Sequence, residues 1–237
     1  MKAISSMATR HVLGELLSQA EQAGLPAVEL ESVGGVDAAR RVADGEPFDL
    51  VLLADDALRG LADAGAVDAA SVVPLLLSQV AVGVPSGDDA EAAPVRGAAF
   101  ADADALRDAL CTATRIGFST GPSGTALVTM IDGWGLGELL SDRLVQARPG
   151  VPVARLIADG EVDLGLQQLS ELVGQPRVRI LGVLPPDCAI DTVFSGAVAS
   201  TAADRDQVHA VLAFLSSDAA LPAIATHNFA AAPAAER

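Results

Sequence analysis

The sequence is poor in the residues that bind phosphate by charge. Lys2 is its only lysine, and 15 basic residues face 31 acidic ones, for a formal net charge of −16. A surface that grips nucleic acid or an acidic membrane needs clustered Lys and Arg, so neither is an expected partner. Tyrosine is absent. Histidine is scarce, and His11, His209 and His227 do not stand at a metal-ligand spacing. The two cysteines, Cys111 and Cys188, form no CxxC pair and no cluster with histidine. No metal site is therefore expected, and both thiols are expected to be reduced. No apolar run reaches the roughly 18 residues of a membrane span. Residues 1–25 also lack the charged start, apolar stretch and small-residue cleavage site of a secretory leader. Instead "VLGELLSQAEQ" carries Glu15, Gln19 and Glu21 on an amphipathic pattern. Read as the native start, this gives a cytoplasmic protein. A leader removed before Met1 would make it periplasmic or extracellular.

What is present is an alternation of strands and helices. Half of the 237 residues are hydrophobic, enough for one large domain or two lobes. "KAIS" reads as a strand, residues 7–23 as a helix closed by Gly24, and "AVELES" as a second strand. "GGVDAARRVADG" is a loop and short helix closed by Gly45, and "FDLVLLA" a buried strand. "DDALRGLADAG" is a helix with Asp55 or Asp56 at its N-cap and Gly65 past its end. Such units predict an α/β fold with a parallel sheet. The pattern then changes. "VVPLLLSQVAVGVPSG" is one long extended stretch, suited to a strand that crosses between lobes, and "DDAEAAPVRGAAF" is an acidic surface loop. Alternation resumes from "DADALRDALCTA" through "RIGFS", "PSGTALVTMIDGWG", "RLVQA", "GVPVARLIADG", "VDLGLQ" and "QLSELVG". Two more strands, "VRILGVLP" and "DTVFSGAVAS", lead to a helical end, and the last residues from Ala230 are expected to fray. A βαβ set thus recurs on either side of the crossing stretch, as two α/β lobes with a cleft would require.

Four strand-to-helix junctions carry glycine or small polar residues: Ser5-Ser6-Met7, Gly34-Gly35-Val36, Ser119 to Gly124, and Gln167-Gln168-Leu169-Ser170. In a parallel sheet these lie at the carboxyl ends of strands, where ligands bind. A helix N-terminus there favours anions. Hydroxyls add donors, and glycine lets the backbone come close. Each junction is equally readable as a plain helix cap. "STGPSGT" lacks the Gly-Lys-Ser/Thr of a phosphate loop and is not a GxSxG elbow. Nucleotide hydrolysis and serine hydrolase chemistry are thereby set aside.

In this order the junctions resemble the type II periplasmic-binding-protein fold, and within it the molybdate-binding-protein-like family. The resemblance covers nearly the whole chain. It is carried by "ISSMATRHVLGELL", "ESVGGVDAARRVADGEPFDLVLLADDALRGLADAGAV", "IGFSTGPSG" and "GVPVARLIADGEVDLGLQQLSEL". With "LGVLPP" and "TVFSGAVAS" it points to the subgroup that contains aconitate isomerase. It implies a two-lobe α/β fold with a ligand cleft, lobe one being residues 1–81 plus 191–237 and lobe two 82–190. It implies an anion held by Ser5, Ser6, Met7, Gly34, Gly35, Thr120, Ser123, Gly124, Gln167 and Gln168, without cofactor or metal. Molybdate binders usually add a tyrosine, where this chain has Gln168. An amide pair suits an organic acid better, so a small di- or tricarboxylate is the expected ligand, with Arg10 as a clamp for a second carboxylate.

Two functions then compete. An isomerase would shift a proton within the acid, with His11 or Glu171 as catalytic base. A solute-binding protein of an ABC uptake system, for a molybdate-like oxyanion or an organic acid, would work with a permease. A cytoplasmic sensor with no chemistry is a third reading.

Overall fold

A computed structural model describes residues 1–87, 97–148 and 150–232. In chain order the strands and helices are β1 (Lys2–Ser6), α1 (Arg10–Gln22), β2 (Glu29–Val33), α2 (Gly35–Ala43), β3 (Leu50–Ala54), α3 (Asp55–Asp63) and β4 (Val73–Pro85). Then come α4 (Ala103–Thr112), β5 (Ile116–Phe118), α5 (Pro122–Gly133), α6 (Gly137–Leu140), β6 (Leu144–Gln146), α7 (Val153–Ala158), β7 (Leu164–Gln168) and α8 (Leu169–Leu172). The chain finishes with β8 (Val178–Val183), β9 (Asp191–Val198), α9 (Arg205–Leu215), α10 (Leu221–Thr226) and β10 (Ala230–Ala231).

These elements form two compact units, Met1–Leu77 with Thr192–Arg237, and Ser78–Asp191. The chain passes between them within β4 and near the start of β9.

In the first unit β1 lies between β2 and β3, all parallel, with Ser6 opposite Val33 and Ser5 opposite Leu52. Strand β9 runs antiparallel to β3, and β10 antiparallel to β4. Alternate residues of each strand face opposite sides. Ala3, Leu50 and Leu52 therefore pack with α1, α9 and α10, whereas Ile4, Val51 and Leu53 pack with α2 and α3. Burial of each of the valine, leucine and isoleucine side chains contributes about 1.5–3 kcal/mol. No single described helix is long and apolar enough to cross a membrane; the apolar pair α9 and α10 belongs to this core.

In the second unit β5 lies between β6 and β7, again parallel, while β7 and β8 pair antiparallel with β4. Helices α4 and α5 cover one face and α7 the other. Gly117 and Gly165 stand opposite each other on β5 and β7. A Cβ on Gly165 would lie 2.5 Å from Ile157 Cδ1, and one on Gly117 3.0 Å from Val153 Cγ1. The two glycines let α7 sit directly on the strands.

Several sequence expectations need correction. The helix expected over 7–23 begins as a 3-10 turn, Met7–Thr9, because Ser6 accepts from Ala8 N and Thr9 Oγ1 donates to Ser6 O. Asp55 is the first residue of α3 rather than its cap, which is Ala54. Ala230 and Ala231 do not fray but pair with Leu77 and Leu76. Most of the expected acidic loop, residues 88–96, lies outside the described residues, as do 233–237.

Candidate functional site

In each unit the junctions picked out from sequence come together at the carboxyl edge of neighbouring parallel strands. In the first unit the edge is formed by the residues that follow β1, β2 and β3. Ser5 is fully buried, and its Oγ lies 2.8 Å from Ser32 Oγ on β2. Ser6 is half-buried, and Met7 is 45% exposed. Gly34 caps α2 through backbone alone, so no side chain accepts from the N–H groups of its first turn. A Cβ on Gly35 would lie 3.9 Å from Ser6 Oγ. The Ser6 hydroxyl and the α2 N-terminus are thus immediate neighbours.

Arg10 and His11 are both exposed. Arg10 Nε donates to His11 Nε2 at 3.0 Å, which leaves the imidazole proton on Nδ1. Of the other histidines, His209 is exposed and His227 lies 2.8 Å from Glu15 Oε2.

The sequence reading missed Asp55 as part of this edge. Its carboxylate accepts from the buried Ser195 Oγ at 2.6 Å and from Arg59 Nε at 2.5 Å. The α3 N-terminus therefore carries its own negative charge, which opposes a bound anion there. The only signal was an acidic residue directly after the buried strand, since Ser195 is 140 residues away.

In the second unit the edge follows β5 and β7. Ser119 Oγ lies 3.1 Å from Ser123 Oγ. Thr120 is exposed, whereas Ser123 and Gly124 are buried. Gly121 caps α5 without a side-chain acceptor, and Pro122 follows it. Proline suits that position because its fixed φ is already helical and it lacks an N–H. Gly124 is required by a close approach. A Cβ there would collide with the Ser119 carbonyl.

The two glutamines of β7 face opposite ways. Gln168 is half-buried, and its Oε1 accepts from the buried Ser78 Oγ at 2.8 Å. Its Nε2 makes no hydrogen bond among the described residues. Gln167 is 3% exposed. Its Oε1 accepts from Ala154 N at 3.1 Å, and its Nε2 donates to the Glu171 carboxylate. Both ends of the Gln167 amide are thus occupied by protein groups. Ser78 was missed; its trace in the sequence is the polar pair Ser78-Gln79 inside the apolar stretch "PLLLSQVAV".

Glu171 is exposed as a residue, and its carboxylate accepts from Gln167 Nε2. Desolvation raises its pKa above the ordinary value, and the Gln167 hydrogen bond pulls the other way without cancelling the effect. The protonated form is favoured more than in water, and the carboxylate is a correspondingly stronger base.

Chemically, both edges offer hydroxyls and helix N–H groups suited to an anion. Among the described residues no group of three or more His, Cys, Asp or Glu could hold a metal ion.

The sequence matches the family model described as bacterial extracellular solute-binding protein over residues 1–230. It is 33% identical to aconitate isomerase of a Pseudomonas species over 196 residues, 82% of this chain and 71% of that protein. Among solved structures, the TM-score is 0.80 to a substrate-binding domain from Clostridium difficile described as that of a molybdenum ABC transporter, at 12% identity, covering 98% of this chain and 99% of that one. It is 0.69 to the periplasmic molybdate-binding protein of Azotobacter vinelandii, at 18% identity, with 98% and 100% covered. For the tungstate-binding protein TupA of Desulfovibrio alaskensis the values are 0.67, 16%, 94% and 92%. At these identities the structures establish the fold alone, the periplasmic-binding-protein fold expected from sequence.

Proposed function

The chain belongs to the family of bacterial extracellular solute-binding proteins, and we propose that it binds a small di- or tricarboxylate and isomerises it by proton transfer. The observation that carries this reading is Glu171. Desolvation favours its protonated form, and it follows β7, whose parallel neighbour β5 leads to the Ser119 and Ser123 hydroxyls and the α5 N-terminus. The 33% identical aconitate isomerase supports the choice of acid and of reaction.

In the first unit the proposed ligand contacts are Ser6, Met7, Gly34 and Gly35, with Ser5 behind them and Arg10 for a further carboxylate. In the second they are Thr120, Ser123, Gly124 and Gln168. Moving a double bond within an unsaturated polycarboxylate takes a proton from one carbon and returns one to another, with no net change in atoms. The intermediate is a carbanion delocalised towards a carboxylate. Uncapped helix N-termini stabilise such charge without a metal. Glu171 is the proposed base. His11 is the alternative, and it would first have to leave Arg10.

The reading is tested by thermal shift and calorimetry with cis- and trans-aconitate, citrate and tricarballylate beside molybdate and tungstate. Stabilisation by carboxylates is expected. Stabilisation by molybdate or tungstate and by no carboxylate overturns it.

A second reading, a non-catalytic receptor working with an ABC permease, is favoured by the description of the family itself. On that reading the carboxylate binds and no proton exchanges. The expectation of a cytoplasmic location belongs to the isomerase reading.

A further inference from the structure

We propose that Gln167 is a positioning residue, whose side-chain amide, oriented by the Ala154 backbone, holds the Glu171 carboxylate in one orientation at the β7 edge. This rests on the reading of Glu171 as the base and adds to it the device that aims that base.

A backbone N–H can only donate. The Gln167 oxygen must therefore face Ala154 N, 3.1 Å away, and the NH2 group must face Glu171. The amide has no room to turn, being 3% exposed. Its anchor is rigid too. Val153, Ala154 and Ile157 are buried, and α7 rests on the bare backbone of Gly117 and Gly165. Rigidity thus passes from α7 through the amide to a carboxyl on α8, a single short turn that would otherwise leave that side chain free to rotate.

Among the described residues no charged side chain, Glu161 included, hydrogen-bonds to Glu171. Of the charged groups on or beside the elements packed against α8, Arg155 and Arg177 pair with Asp159. Asp163 accepts from Thr114 N and Arg115 N. Neither these nor Arg179 hydrogen-bonds to Glu171 among the described residues. A donor to the carboxylate favours its charged form, so removing it must make the group harder to ionise.

The experiment is a carbon-13 NMR titration of the Glu171 carboxyl, in the original protein and in Gln167→Met. The midpoint is expected to move upward in the variant, and the base limb of any aconitate exchange to move with it. An unchanged midpoint in a folded variant overturns the proposal. Gln167→Met also leaves the Ala154 N–H unpaired, so a second measurement uses the unaltered protein. The Gln167 side-chain amide resonances are expected to titrate with the same midpoint as Glu171, and indifference to that titration overturns the proposal equally. Loss of the isomerase reading would show differently. Exchange would be absent at every pH while both titrations remained coupled.

Discussion

Glu171 and Asp163 are carboxyls that the fold pulls in opposite directions. Burial raises Asp163 as it does Glu171, but the Thr114 and Arg115 N–H groups, at 2.8 and 2.7 Å, outweigh it and leave Asp163 below its ordinary value of 3.8. A lowered folded pKa stabilises the protein above the ordinary value and loses that effect as pH falls through the folded one. Asp163→Asn is thus expected to lower the melting temperature at pH 7, with the difference shrinking in strong acid. For Glu171 the sign is reversed. Its raised pKa makes ionisation a penalty that grows as pH rises above 4.5. Glu171→Gln is expected to melt higher than the original protein at pH 8 and level with it near pH 4. Ser123→Ala tests the anion site directly. Loss of one hydrogen bond to a charged ligand costs about 1.5–3 kcal/mol, or roughly 10- to 150-fold in Kd. Calorimetry with the best carboxylate measures it. Ser123 and Glu171 were legible in the sequence as junction residues. The partners of Asp163 were not, because they lie 48 and 49 residues away.

At the scale of elements, α5 and α7 are set by glycines. A methyl on Gly165 would fall 2.5 Å from Ile157 Cδ1 and 2.9 Å from Val153 Cγ1. Overpacking of this kind costs about 1–3 kcal/mol, which for a chain of this size lowers Tm by roughly 2–4 °C per kcal/mol. Gly165→Ala should therefore melt several degrees lower. Because the displaced helix carries Ala154, the Glu171 midpoint should shift as well. A lower Tm with an unmoved midpoint would separate α7 from the site. The order of strands and helices was readable from apolar periodicity and glycine closures. That periodicity is local and silent about direction and partner, so the antiparallel course of β9 and the pairing of β10 with β4 were not readable. The 3-10 start of the first helix was hidden too, since it depends on Ser6 Oγ accepting from Ala8 N and Thr9 Oγ1 donating to Ser6 O.

For the whole molecule, a net charge of −16 sets a repulsive field against any anion. Binding of an anion must then come from donors fixed at short range, the role proposed for the strand-end hydroxyls and helix N–H groups. Family membership leaves receptor and enzyme side by side, and the difference between them is one proton. The direct measurement is proton NMR of cis-aconitate in heavy water with catalytic amounts of the protein, repeated with Glu171→Gln. With the original protein, loss of the methylene proton signal to deuterium and growth of the trans isomer are expected. With the variant, which still binds the acid, neither is expected. Tight binding by the original protein with no deuterium uptake over hours would rule out proton transfer.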